Sequence, residues 1–450
     1  LISSLTAEPA TETIRDALSY KDNDGTIRLT FGSNSAVYDV DGAGAVSDIT
    51  PSEFAGGLND VALSVGYGAA LYGISAYGVA RDQEGADPLA VSRWSFDTWG
   101  EDLLASFTGD TLYESTQGTQ LVAIAGAPSA ITDFIVTDER IVLAIVDPSE
   151  GQRRVEWSDR EDNSEWTATI SNFAGGKTLS GTGNLIGVYN VQGQYLILGE
   201  NDAQRADYVG APFVYGFRTV GTKCGPIDKN AVVTTDRMVV WLGVRSFWMY
   251  DGTLRPLPCD IMDHINDTLD RNQVSKIFSM TVSDYSELWW YYQSKDGDTV
   301  DSYVVFNYVM GHWSYGSLRR SAGVDSGATR SPIMVCDAGV IWNHEQEFVR
   351  PDGPVFAMTG PLTLKNGNTN MAVRYMFPDT QAKDAVEFEF LSKQHSTDDL
   401  YSHGIFEYYD PVSTTGVLGK EVFLKVIGLV ARWEFGIPRL DIDETGAGYR

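Results

Sequence analysis

Apolar positions along this chain fall into short runs, and each run is cut by a turn built on Asp-Gly, Gly or Asn. The stretch "WWYYQSKDGDTVDSYVVFNYVMGHWSYG" (289–316) shows the pattern at its densest. Trp289 to Tyr292 is an aromatic run, "KDGDT" (295–299) supplies the φ > 0 position of a tight hairpin, and "YVVFNYV" (303–309) is β-branched and aromatic throughout. A second turn at Met310-Gly311 leads into His312-Trp313-Ser314-Tyr315. Apolar residues stand on both sides of these strands, which predicts a meander covered on both faces.

The same grammar recurs. "IRLTFGSNSAVYDVDGAGAVSDITP" (27–51), "DLLASFTGDTLYESTQGTQLVAI" (102–124), "VVWLGVRSFWMYDGTLRPLP" (239–258) and the shorter "IMVCDAGVIWNHEQ" (333–346) each read as strand, turn, strand, turn. "YLILGENDAQRADYVG" (195–210) begins in the same way with a longer inner turn. Strand starts near 103, 153, 195, 240, 288 and 333 are spaced by roughly 42 to 50 residues, the period of one propeller blade. The fold class expected is therefore all-β: a β-propeller of repeated three- to four-stranded blades over residues 1–360, with aromatic side chains filling the spaces between blades. Blade number stays open between five and eight, because 52–93 is rich in Gly and Ala and weakly patterned. Within it "GYGAALYGISAYG" (66–78) reads as a partner-contacting loop or a channel gate.

Two segments depart from this rhythm. In "CDIMDHINDTLDRNQVSKIFSMTV" (259–282), Ile261, Ile265 and Leu269 recur every four residues and Asp263 lies in the first turn, predicting one short helix near 260–277. From about Gly360 the strands lengthen and alternate cleanly, as in Val386-Glu387-Phe388-Glu389-Phe390. That suits a sheet with one wet face, so 361–450 is expected to be a C-terminal β domain or a closing element.

Composition narrows the function classes. With 33 basic and 61 acidic residues the net charge is −28, so the chain as a whole repels nucleic acid and anionic membranes. No window of 18 apolar residues exists to span a membrane. "LISSLTAEPATET" (1–13) lacks the basic and apolar parts of a secretory leader. Cys224, Cys259 and Cys336 are far apart and odd in number, against a disulfide framework or a zinc site.

Candidate chemistry is sparse. His395 and His403 flank Asp398 and Asp399 in a polar loop, but their eight-residue separation matches no common ligand spacing. His344-Glu345 lacks the second His of a helical zinc motif. "WSDREDNSEWTAT" (157–169) resembles a degenerate Asp-box, with Asp162, Ser164 and Trp166 in place and Asn163 and Ser164 around the expected Gly; such a box is a folding turn. "KDNDGT" (21–26) offers Asp22, Asp24 and Gly25 but not the remaining ligands of an EF-hand loop. Neither a Walker loop nor a nucleophile elbow is found. No catalytic residue, metal site or cofactor is assigned, and the chain is expected not to be an enzyme. Trp99 and Trp342 are candidate interface anchors, with inter-blade core as their other reading.

Several long phrases together resemble the tail nozzle (tail tube, head-to-tail stabilisation) proteins of short-tailed bacteriophages: "WSFDTWGEDLLAS" (94–106), "RVEWSDREDNSEWTAT" (154–169), "KCGPIDKNAVV" (223–233), "WLGVRSFWMYDGTLRPLPCDIMDHI" (241–265), "ELWWYYQSKDGDTVDSYVVFNYVMGHWSYG" (287–316) and "ARWEFGIPRLDIDETGAGYR" (431–450). The family usually carries an N-terminal arm rich in Gly and Trp ahead of the first blade, and this sequence begins too late to show one. The resemblance implies a structural virion protein assembled in the host cytoplasm. It implies a sixfold homomeric ring beneath the portal and adaptor, neighbouring tail fibres or a tail needle, and double-stranded DNA passing through the lumen without specific binding. The charge suits that expectation, since an acidic wall lets a polyanion slide. Two other readings stay open: a carbohydrate-active or carbohydrate-binding propeller (glycosidase or lectin), and another tail component such as an adaptor or receptor-binding protein.

Overall fold

The computed structural model describes residues 12–63, 88–147, 153–345, 355–380, 385–429 and 435–445. The chain divides into two compact units, 1–344 and 345–450.

Among the described residues of the first unit, seven antiparallel sheets of three or four strands follow one another along the chain. Their first strands are Asp16–Lys21, Trp94–Trp99, Ile131–Val136, Leu185–Val191, Val232–Thr234, Phe278–Val282 and Ala322–Val324. Six sheets have four strands in simple up-and-down order, and the seventh has three: Ala322–Val324, Ile333–Val335 and Ile341–Asn343. Each first strand lies beside the first strand of the next sheet, and the seventh lies beside the first, so the ring closes. This is a seven-bladed β-propeller with its first strands innermost.

The aromatic stretch forms most of the sixth blade. Glu287–Gln293 pairs with Val300–Asn307 across the Asp-Gly turn, and that strand with His312–Ser317. Neighbouring residues of Glu287–Gln293 face opposite ways and fill two different interfaces. Trp290 packs edge-on against Phe247 of the fifth blade, centroids 4.9 Å apart. Tyr291 stacks on Phe278 at 4.7 Å, in the cluster that receives Met334 of the seventh blade. Both are fully buried, which is why the stretch shows no alternation. The ring closes without an exchanged strand among the described residues: Leu29, Phe31 and Val40 of the first blade pack against Ile333, Val335 and Ile341 of the seventh.

The blades begin one strand earlier than the repeat suggests. The strand near 103 is the second of its blade and the one near 153 the third. The expected helix near 260–277 is two pieces, α-helix Met262–Thr268 and 3-10 helix Arg271–Lys276. Between them Leu269 and Asp270 are extended, and the Asp270 carboxylate accepts from the Asn272 N–H at 2.9 Å. That local bond competes with a continued helix. Most of 52–93, including 66–78, lies outside the described residues; its described flanks pair as Ala62–Leu63 with Pro88–Leu89.

The second unit starts before the expected residue 361, because Phe356–Met358 pairs with Glu421–Gly428 of its own sheet. That sheet runs Phe356–Met358, Glu421–Gly428, Val386–Lys393, Tyr401–Glu407, with Leu362–Thr363 also on Glu421–Gly428. A second sheet is ordered Val412–Gly419, Met371–Phe377, Arg439–Glu444. The two enclose one core containing Val373, Met376, Phe388, Phe390, Val417, Leu424 and Val426. Residues 386–393 alternate strictly between buried and partly exposed, as expected for a sheet with one wet face.

Candidate functional site at the propeller axis

The seven inner strands surround a cavity of about 380 Å³. Its wall mixes aromatic side chains (Trp94, Phe96, Tyr189, Phe278) with charged ones (Arg15, Asp16, Arg93, Asp97, Asp133, Lys229). A second pocket of about 410 Å³ shares Val232, Thr234, Ser279 and Gly323 and reaches Asp325.

Most of these polar groups tie one blade to the next. Asp16 of the first blade accepts from the Trp94 N–H (2.9 Å), Arg93 Nε (2.9 Å) and Arg93 Nη2 (2.8 Å) at the start of the second. Asp97 of the second blade accepts from the Val136 N–H of the third at 2.7 Å. Asp133 of the third accepts from the Val188 N–H of the fourth at 3.0 Å and from the Ser95 hydroxyl at 2.8 Å. The Tyr189 hydroxyl donates to the Lys229 carbonyl at 2.6 Å, joining the fourth blade to the fifth. Ser279 Oγ of the sixth lies 2.7 and 2.9 Å from the Asn230 and Val232 carbonyls of the fifth. The Ser283 N–H and hydroxyl donate to Asp325 of the seventh. The first and seventh blades meet through apolar side chains instead.

Arg93 is the densest node. It is 4% exposed, and besides Asp16 it donates to the carbonyls of Ser275 (3.2 Å), Ile277 (2.6 Å) and Arg15 (2.5 Å). Lys229 Nζ donates to Ser95 Oγ at 3.0 Å, linking a cation to Asp133 through one hydroxyl. Desolvation beside the axis, with Asp133 close by, pushes the Asp97 carboxyl up to about 6. Desolvation also raises Asp133, although Lys229 and the Val188 N–H oppose it. Chemically the wall is a ring of inter-blade latches around a space of small-ligand size.

The residues singled out from sequence are scattered. Trp99 is buried in the core between the second and third blades with the Arg140 guanidinium 4.6 Å from its ring centre, so it offers no exposed anchor. Trp342 is half-buried beneath Arg320, 5.6 Å from its ring. His344 accepts from Arg320 Nε at 2.9 Å, and desolvation together with that cation lowers it to about 4. His403 meets Ser392 Oγ at 2.9 Å, whereas His395 uses its backbone N–H on Asp398. Among the described residues no group of three or more His, Cys, Asp or Glu is arranged to hold a metal ion. The Asp-box-like segment is a self-capped turn: Asp162 accepts from the Ser164 N–H (2.9 Å) and hydroxyl (2.6 Å), and Trp166 Nε1 donates to the Asn163 carbonyl (2.8 Å). The axial residues left a faint signal in the sequence. "WSFDTW" and "ITDFIV" each carry an Asp inside a strand, where Asp is disfavoured unless something holds it.

No family model matches the chain, and no curated protein matches it. Among solved structures, streptogramin B lyase is 9% identical with a TM-score of 0.43, covering 75% of this chain and 94% of that one. BamB from Moraxella catarrhalis is 11% identical with a TM-score of 0.38, covering 73% and 84%. The WD40 β-propeller domain of Doa1 is 11% identical with a TM-score of 0.39, covering 77% and 97%. The likeness is one of fold; the assignment of seven blades rests on the ring of sheets in this chain itself.

Proposed function

We propose that the chain is a structural protein of the virion, a subunit of the ring-shaped tail nozzle through which a short-tailed bacteriophage ejects its DNA, seated below the portal and adaptor. The observation that carries this reading is where the exposed apolar surface lies. Among the described residues, ten of the twenty-two large exposed apolar side chains fall in the second unit, among them Phe356, Tyr401, Ile405, Tyr409 and Ile437. A small domain with that much uncovered apolar surface is suited to binding other proteins, and heterologous contacts between copies build closed rings. The duplex runs through the lumen of the assembled ring, since an axial cavity of about 380 Å³ suits a small ligand and not a nucleic acid. The net charge of −28 per subunit keeps phosphates from sticking.

Light scattering and negative-stain microscopy test this, on the purified chain alone and with a portal–adaptor complex. A sixfold ring with an axial hole, alone or on the adaptor, is expected. A persistent monomer indifferent to the adaptor overturns the reading. The axial cavity, with Asp97 and Asp133 beside Trp94 and Tyr189, then favours the second reading, a carbohydrate-active or carbohydrate-binding propeller. A glycan array tests that.

A further inference from the structure

The face of the first blade that packs against the second carries a polar cluster whose hydrogen bonds do not balance. Arg28 bridges two buried carboxylates, donating from Nε to Asp22 Oδ2 (2.7 Å) and from Nη1 to Asp39 Oδ2 (2.6 Å). The second oxygen of each, Asp22 Oδ1 and Asp39 Oδ1, has no protein partner, and the hydroxyls of Thr30 and Tyr20 have only each other. All four residues are more than nine-tenths buried: Thr30 is 0% exposed, Asp39 2%, Asp22 6% and Tyr20 7%. The strand register brings them together. Tyr20 stands opposite Arg28, and Thr30 opposite Asp39. Gly118, from a turn of the second blade, closes over the pair at φ +74; a Cβ there would lie 2.5 Å from Asp39 Oδ2 and against Arg28 Nη1.

Two carboxylates against one guanidinium leave one net negative charge between blades, with two carboxylate oxygens and two hydroxyls that no group outside the cluster meets. An uncompensated buried charge is costly and calls for a partner. A water could serve all four, donating to the carboxylate oxygens and accepting from the hydroxyls, but it leaves the charge uncancelled; a cation takes the lone pairs and cancels the charge. All four donors are hard oxygens, which select alkali or alkaline-earth ions over softer metals. A monovalent ion neutralises the cluster, while a divalent one leaves a positive charge buried beside Arg28.

We propose that Tyr20, Asp22, Thr30 and Asp39 bind a small monovalent cation of sodium's kind, which fastens the first blade to the second. The segment "KDNDGT" (21–26) fails as a loop-type calcium site because only one of its carboxylates points inward. Asp24 is exposed and caps the Thr26 N–H at 2.8 Å, and the other oxygens come from three strands. This inference is independent of the tail-nozzle reading.

Thermal unfolding of the full chain, followed by tryptophan fluorescence, tests it, with sodium chloride replacing choline chloride at constant ionic strength. Linkage raises the midpoint of the propeller transition by about 2 °C or more as sodium reaches about 0.3 M. Thr30→Val and Tyr20→Phe abolish that rise, and Asp24→Asn retains it. Identical midpoints in the two salts, or an undiminished sodium response in Thr30→Val, overturn the proposal. A response to about 1 mM calcium chloride without one to sodium overturns the monovalent assignment.

Discussion

The propeller and the C-terminal sandwich bury their sheets by different means. In the sandwich each strand has a dry and a wet face, and one apolar core suffices. In the propeller each sheet is covered on both sides, so successive residues serve different cores, and the strands near the axis are joined by carboxylates and hydroxyls. The sandwich therefore depends on area buried. The propeller depends also on polar geometry at its centre, which makes it the unit more sensitive to single polar substitutions and to pH.

The largest expected effect that sharpens this contrast is Arg93→Ala. It leaves Asp16 charged and buried and strips three carbonyls of their donor, a loss of about 3–5 kcal/mol. Ten of the eleven tryptophans lie in 1–344, so the denaturant midpoint of tryptophan fluorescence reads the propeller. Phe388→Ala in the sandwich, at a similar cost of about 3–5 kcal/mol, is expected to leave that midpoint in place. A common shift for both variants would break the contrast and make the two units one cooperative block.

The pH dependence comes next. Asp97 binds its proton more tightly in the folded state, titrating at about 6 against an ordinary 3.8. The folded form thus holds more protons between those values, and stability contributed by this group falls as pH rises through the window. Between pH 7 and pH 4 the parent should gain up to about 3 kcal/mol relative to Asp97→Asn. Midpoints of the two proteins measured across that range check the sign; parallel curves would mean that Asp97 is not desolvated.

Smaller still is Ser279→Ala, which removes the hydroxyl latch between the fifth and sixth blades at a cost of about 0.5–1.5 kcal/mol. At the bottom of the scale, Asp24→Ala changes an exposed turn and should stay within about 0.5 kcal/mol in the same assay. A Ser279 effect no larger than that of Asp24 would show that the axial hydroxyls add nothing to the apolar packing.

Legibility in the sequence follows the same division. Val386 to Phe390 announced a one-faced sheet through alternation, and the structure has that sheet. Trp289 to Tyr292 announced a strand covered on both faces, and Trp290 and Tyr291 do face opposite neighbours. The innermost strands were the hardest to read. Several carry polar residues at the axis, as Asp16–Lys21 and Trp94–Trp99 do, so the repeat is clearest in the apolar second and third strands and its phase reads late. Asp16, Arg93, Asp97 and Asp133 lie far apart in sequence, and no spacing rule links residues that meet only when blades close into a circle. Asp22 and Asp39 were hidden for a related reason, since their convergence depends on strand register.

The apolar seam between the first and seventh blades also sets a clock. Leu29, Phe31 and Val40 leave the ribosome before Ile341, the last residue of their shared cluster, which follows roughly 300 residues later. At elongation rates of about 5–20 residues per second the wait is about 15–60 s. Throughout it the first blade presents an uncovered sheet face to everything else in the cell. A chaperone, or the nascent seventh blade of a neighbouring chain on the same message, has that interval in which to reach the seam first.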